Sequence, residues 1–330
     1  MRLSSLNRRR TIRRQSQSDL AFAWRSGISN KLIAISAMFL LVHSLLPAAD
    51  NRETLDIRVQ IAGFGKVNPE DIKLLLQSTA LELWRYCPRT QVDGIDVYHR
   101  FDHPQTDFKR MPDGRIAIGL AAQDTRWAQY CFQFAHEFCH TLVNFSNNSR
   151  PSDSSPSRAN YWLEECLCET ASLFTLRAMS RTWQNHPPVP AWRDYAPWFN
   201  DYAARRIAAP EHQLPAGKNF VTWFREHEPA MRQNATLWDW NTIVATQLLP
   251  LFEAEPSAWE AVTFLNLRPQ YAGESLTAHL AEWRSRCPPH LRPLVSKIAA
   301  VFAIELQIAD RSLTVVNPTC RERSTESLDG

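Results

Sequence analysis

His136-Glu137-Phe138-Cys139-His140 reads H-E-x-x-H, two imidazoles one helical turn apart with a carboxylate beside the first. Residues four apart share a helix face, so both rings can reach one metal ion. The glutamate is then placed to take a proton from a metal-activated water. Around this pentapeptide, Trp127, Cys131, Phe134, Phe138 and Leu142 recur at helical spacing and predict the helix's buried stripe, with Asp124 as its cap. A polar stretch rich in Ser and Pro, 146–157, predicts its end. A second helix is predicted from Asn160, its cap, to about Arg181. It carries Trp162-Leu163-Glu164-Glu165-Cys166-Leu167-Cys168-Glu169.

Strand signals precede the histidine helix. Residues 55–61 alternate apolar and polar, 95–98 read as a second short strand, and a Pro-Asp-Gly turn introduces 115–121. In that last strand Ile116, Ile118 and Leu120 fall on one side, Ala117, Gly119 and Ala121 on the other. The small side would let a ligand or another backbone approach closely. Between the first two strands, Asn68 and Pro69 predict the start of a helix running to about Tyr86. After Pro187, Pro188 and Pro190 the pattern turns helical, with candidates at 220–232, 238–252, 257–264, 275–287 and 294–306. The expected fold is α+β. A small mixed sheet, an active-site helix and a glutamate helix occupy 50–186, a mainly helical lobe 187–310, and a polar tail 311–330.

With 330 residues, 44% of them hydrophobic, the chain can bury a substantial core. Its formal charge of +3 is concentrated at one end. Residues 1–31 hold eight Lys/Arg and one Asp, so the remainder carries +3 − 7 = −4. A mildly acidic body excludes a basic nucleic-acid footprint. The basic stretch precedes an apolar run, 32–46, and then Pro47-Ala48-Ala49. That order is expected of a signal peptide or an N-terminal membrane anchor over 1–49. The body would then be exported, secreted or periplasmic, or tethered to the membrane. Seven cysteines are an odd number, so one at least stays unpaired in a monomer, and Cys287 with Cys320 could tie down the tail.

The combination of H-E-x-x-H with Trp162-Leu163-Glu164-Glu165 resembles the gluzincin metallopeptidases, which include thermolysin-like and aminopeptidase-like enzymes. These place a ligand glutamate on the next helix, within a W-L-x-E segment. The resemblance covers 115–169 and implies a zincin-like fold and a Zn²⁺ cofactor. His136, His140 and Glu165 would be its ligands and Glu137 the general base. An acidic residue often follows the ligand glutamate by four positions, and Glu169 stands there to orient a histidine. The segment 116–123 lacks the glutamate with which the aminopeptidase branch holds a free amine. In the family the strand before the metal helix binds extended substrate by edge pairing, which here would be 116–121.

The function expected is zinc-dependent hydrolysis of a peptide or protein substrate, with no nucleic-acid partner. The alternative is a catalytically inactive zincin-like domain that binds peptide or cell-envelope material. Its motive is one vacancy: the oxyanion-stabilising donor is not identified, and Tyr161, Tyr195, Tyr202, His212 and His227 are all candidates. The bland reading of His136 and His140 is a pair of surface rings. Glu137, Glu165 and Glu169 weigh against it. Cys139, Cys166 and Cys168 lie close in sequence to the expected ligands, so a redox or metal role stands as the alternative to the favoured reading, small packing residues.

Overall fold

The structure is a computed structural model describing residues 54–145, 159–271 and 273–306, which belong to one compact unit. The expected leader, the loop 146–157, the Cys287–Cys320 pairing and the tail lie outside the described residues.

The fold is mixed α+β, with a four-stranded sheet and a helical C-terminal part. The strands are β1 (Ile57–Val59), β2 (Ile95–His99), β3 (Gln105–Thr106) and β4 (Ile116–Leu120), in the order β1-β2-β4-β3. The first three in that order are parallel, and β3 is antiparallel to β4. Ile57 pairs with Ile95 and Ile95 with Ile116, so β-branched side chains stack across the sheet into the core. β4 is thus an interior strand, which corrects the expectation that 116–121 offers a free edge. The two-residue β3 holds that edge, pairing Thr106 with Ile118. On the small side of β4, Gly119 makes room for the Arg100 side chain, which an added Cβ would meet, while Ala121 lines a cleft.

Helix α1 (Pro69–Trp84) starts as expected, Asn68 accepting the Glu70 N–H at 3.0 Å and Glu70 and Asp71 filling the first turn. Its face of Ile72, Leu75, Leu76 and Leu83 packs towards the sheet and α2 (Trp127–Leu142). Asp124 does not cap α2. It adopts φ 55°, and its Oδ1 accepts the Lys66 N–H at 2.8 Å, tying down the loop before α1.

Helix α3 (Tyr161–Asn185) runs down the middle, against α1, α2, α4 (Ala196–Ala208) and α6 (Trp238–Ala254). Almost all of it is buried, as befits a helix packed on every side. Asn160 precedes it without a side-chain cap bond. Because α3 packs against α4 and α6, one core crosses the boundary expected at 187. Helix α4 follows a 3₁₀ turn, Pro190–Tyr195, and was not foreseen behind the cluster of prolines.

Helices α5 (Phe220–Gln233), α6, α7 (Leu276–Arg286) and α8 (Arg292–Val301) occupy four of the expected segments. The fifth, Pro256–Phe264, is 3₁₀, with Trp259 stacked on Phe252 at 3.9 Å. Helix α8 stops short of 306 because Ala303 turns left-handed at φ 55° and Ile304 N–H donates back to Ala299 O. Among the described residues no helix is long and apolar enough to cross a membrane.

One core histidine sets a pH dependence. His279 is 3% exposed, and burial, then the charge of Arg268, holds its pKa down at about 4. Glu274 lies 3.9 Å from its Nδ1, but that carboxylate is engaged by Arg268. Unfolded histidine titrates near 6.5, so the neutral folded ring contributes stability that is complete above about pH 6.5. That contribution is lost as pH falls towards 4, by up to about 1.4 kcal/mol per unit. Urea midpoints measured across this window should fall more steeply for wild type than for His279→Leu. Equal slopes would contradict the assignment.

Candidate metal centre

Helices α2 and α3 face each other, and the four-residue spacing on each stacks the key side chains. His136 and His140 project from α2, Glu165 and Glu169 from α3. Both ring Nε2 atoms converge on one carboxylate: Glu165 Oε2 is 3.2 Å from His136 Nε2, and Glu165 Oε1 is 3.7 Å from His140 Nε2. The Nδ1 atoms meet other carboxylates. His140 Nδ1 is 2.8 Å from Glu164 Oε1, and His136 Nδ1 is 3.7 Å from Glu169 Oε2. A carboxylate oxygen accepts, so Nδ1–H of His140 donates to Glu164 and its Nε2 is left facing Glu165.

Glu164 is therefore part of the arrangement, although its place in the sequence gave it no acidic neighbour one turn on. It is fully buried, and Asn266 Nδ2 donates to its Oε2 at 2.6 Å. Asn266 sits at φ 57° and accepts from Gln270 Nε2, whose Oε1 accepts the Asn160 N–H. Asn160 in turn donates to Glu274 O and accepts from Arg232. Glu169 has its own support: Arg206 Nη2 of α4 donates to Oε1 at 3.0 Å and Thr242 Oγ1 of α6 at 2.7 Å. Edge strand β3 supplies Thr106, whose hydroxyl lies 2.9 Å from both Oε2 and the carbonyl oxygen of Glu137 and donates to one of them.

Burial works against a proton on His136. Hydrogen bonds to Glu165 and Glu169 and the charge of Glu137 outweigh it and raise the pKa well above the ordinary value. Burial likewise opposes charge on Glu165, yet the two histidines hold its carboxyl down at about 2. A hydrogen bond from Tyr161 adds to this. Four carboxylates, Glu137, Glu164, Glu165 and Glu169, are each at most 6% exposed, and Arg206 is the permanent cation beside them. Buried anions require cationic partners, so the pocket is chemically disposed towards a divalent ion.

The ligand atoms of His136, His140 and Cys168 lie within 4.8 Å of one another and could hold a metal ion. The third donor in this set differs from Glu165. Cys168 is fully buried, and burial together with a hydrogen bond to Cys139 pushes its thiol pKa well up, away from the thiolate that ligates. Glu165 lines the open cleft together with both histidines, whereas Cys168 does not. A centre that must admit a water or substrate needs its free position on the cleft side. The carboxylate is the better third donor for that task.

The cleft has a volume of about 710 Å³, and Glu137, Tyr161, Tyr202, His103 and Arg206 line it. Of the candidate oxyanion donors, Tyr195 instead accepts the Ala128 N–H through its hydroxyl. His212 pairs with Arg206 O through Nδ1, and His227 stacks on Trp223 at 4.6 Å; neither lines the cleft. Tyr161 is committed to Glu165, which leaves Tyr202 of the original set. Burial raises the Tyr202 pKa, so its phenol remains a donor at neutral pH. His103 joins it in the cleft with Nδ1 3.1 Å from Asp102. No sequence signal distinguished it.

No protein-family model, curated protein or solved structure matches this chain. Residues and distances alone carry the functional reading.

Proposed function

We propose that this cleft belongs to a zinc-dependent peptidase with a zincin-like arrangement, His136, His140 and Glu165 holding the ion and Glu137 acting as general base. The observation that carries it is the convergence of both Nε2 atoms on Glu165, with a carboxylate behind each Nδ1. Two nitrogens and a carboxylate, backed by outer acids, are the donor set of a hydrolytic zinc centre. Bound there, zinc would supply the positive charge that acidifies a water and polarises a peptide carbonyl.

The chain's own groups divide the remaining work. Glu137 stands outside the donor set, and its Oε2 is held within reach of the Thr106 hydroxyl. It can accept a proton from the attacking water and return it to the leaving amine. Tyr202 or His103 can donate to the oxygen that gains charge. Glu164 and Glu169 fix the histidine rings. The free side of β3 lies beside Glu137 and can align an extended peptide, the role first expected of 116–121.

The test is zinc content of the full chain together with cleavage of a mixed peptide library. About one zinc per chain and cleavage are expected. His140→Ala should lose both, because one of three donors goes and Glu164 is left buried without its ring partner. Zinc without cleavage would favour the inactive peptide-binding reading. Folded protein that takes up no zinc would exclude both.

A further inference from the structure

Arg206 is the one Lys or Arg among the described residues lining the cleft. Its guanidinium lies 4.6 Å over the Phe132 ring, which lines the same cleft. Of its three nitrogens, Nη2 is spent on Glu169 at 3.0 Å and Thr242 at 3.4 Å. Nε is buried without a partner, and Nη1 makes no hydrogen bond to the described residues. The side chain keeps 29% of its surface exposed. Arginine offers five N–H donors in a planar fork; Nη2 is engaged and Nε is shut off from solvent, so the Nη1 pair is left for a ligand.

We propose that Arg206 receives the free C-terminal carboxylate of the substrate, which makes the enzyme a carboxy-terminal exopeptidase. This rests on the cleft being a peptidase site. The depth is right. Glu169 touches Arg206 through Oε1 and lies 3.7 Å from His136 through Oε2, so a single carboxylate separates the guanidinium from a histidine of the centre. An extended peptide advances about 3.3–3.6 Å per residue, so a terminus one or two residues beyond the cleaved bond reaches that far. The chemistry is selective. A terminal carboxylate brings a full charge and a second oxygen to a fork already fixed by Glu169, Thr242 and Phe132, whereas an internal carbonyl brings one neutral acceptor.

The test uses one mixed-sequence hexapeptide library made twice, as free acids and as C-terminal carboxamides. Binding is measured on zinc-loaded full-length Glu137→Gln protein, and cleavage on wild type. Free acids should bind about ten- to a hundredfold more tightly, the worth of a charge-assisted hydrogen bond, and be cut one or two residues from their C-terminus. Adding Arg206→Gln should bring acid affinity down to amide affinity, with zinc content measured in parallel. Equal binding of acids and amides, or an Arg206→Gln change that weakens both alike, would overturn the proposal. Preference for acids without cleavage would keep Arg206 as the receptor of a terminal carboxylate and remove the peptidase reading, and the exopeptidase assignment with it.

Discussion

Glu137→Gln is expected to keep its zinc and to lose peptide cleavage by about 10²–10⁴, the usual worth of a positioned general base. Glutamine keeps the shape of the side chain and can still accept from the Thr106 hydroxyl, which lies 2.9 Å from Oε2. It cannot take up the proton that the attacking water must release. No ring nitrogen depends on Glu137 for a hydrogen bond, since His136 and His140 face Glu165, Glu164 and Glu169. Metal content and turnover should therefore separate cleanly. Loss of zinc in this variant would place Glu137 among the donors, and undiminished cleavage would remove it from the chemistry.

A second large effect is expected far from the cleft. Arg115 is 3% exposed at the entry to β4 and donates to the carboxylates of Asp96 and Asp56 and to the carbonyl oxygens of Asp56 and Ile95. Asp96 is itself buried in β2. Arg115→Met would leave that carboxylate with its buried cation removed, at a cost of about 3–5 kcal/mol. Asp56 is more than half exposed and adds little. Against a typical stability of about 5–15 kcal/mol, the urea midpoint should drop sharply. Adding Asp96→Asn should recover part of the loss. An unchanged midpoint in Arg115→Met would show that the cluster contributes nothing net.

The parts of the site that sequence made legible are those written in helical period. His136 and His140, and Glu165 and Glu169, are each one turn apart, so their shared faces follow from spacing alone. What escaped depends on distant chain. Glu164 had no local sign, because its partner Asn266 is 102 residues away. Arg206 was missed with the whole of α4, which hides behind the prolines at 187–190. β3 is two residues long, too short for any alternation to register, and so the edge was assigned to the longer strand beside it. The helical segments after 220 were readable from pattern, and the structure adds that Ser275 and Asn219 accept N–H groups at the start of two of them.

The chain of polar groups from His140 through Glu164, Asn266, Gln270 and Asn160 to Glu274 and Arg232 makes the centre a property of the whole polypeptide. The two histidines and the three glutamates of α3 precede residue 170, but Glu164, the partner of one ring, acquires its own hydrogen-bond donor only when Asn266, after α6, has docked. If the centre holds zinc as proposed, a chain that ends before Asn266 should hold it less tightly than the full chain.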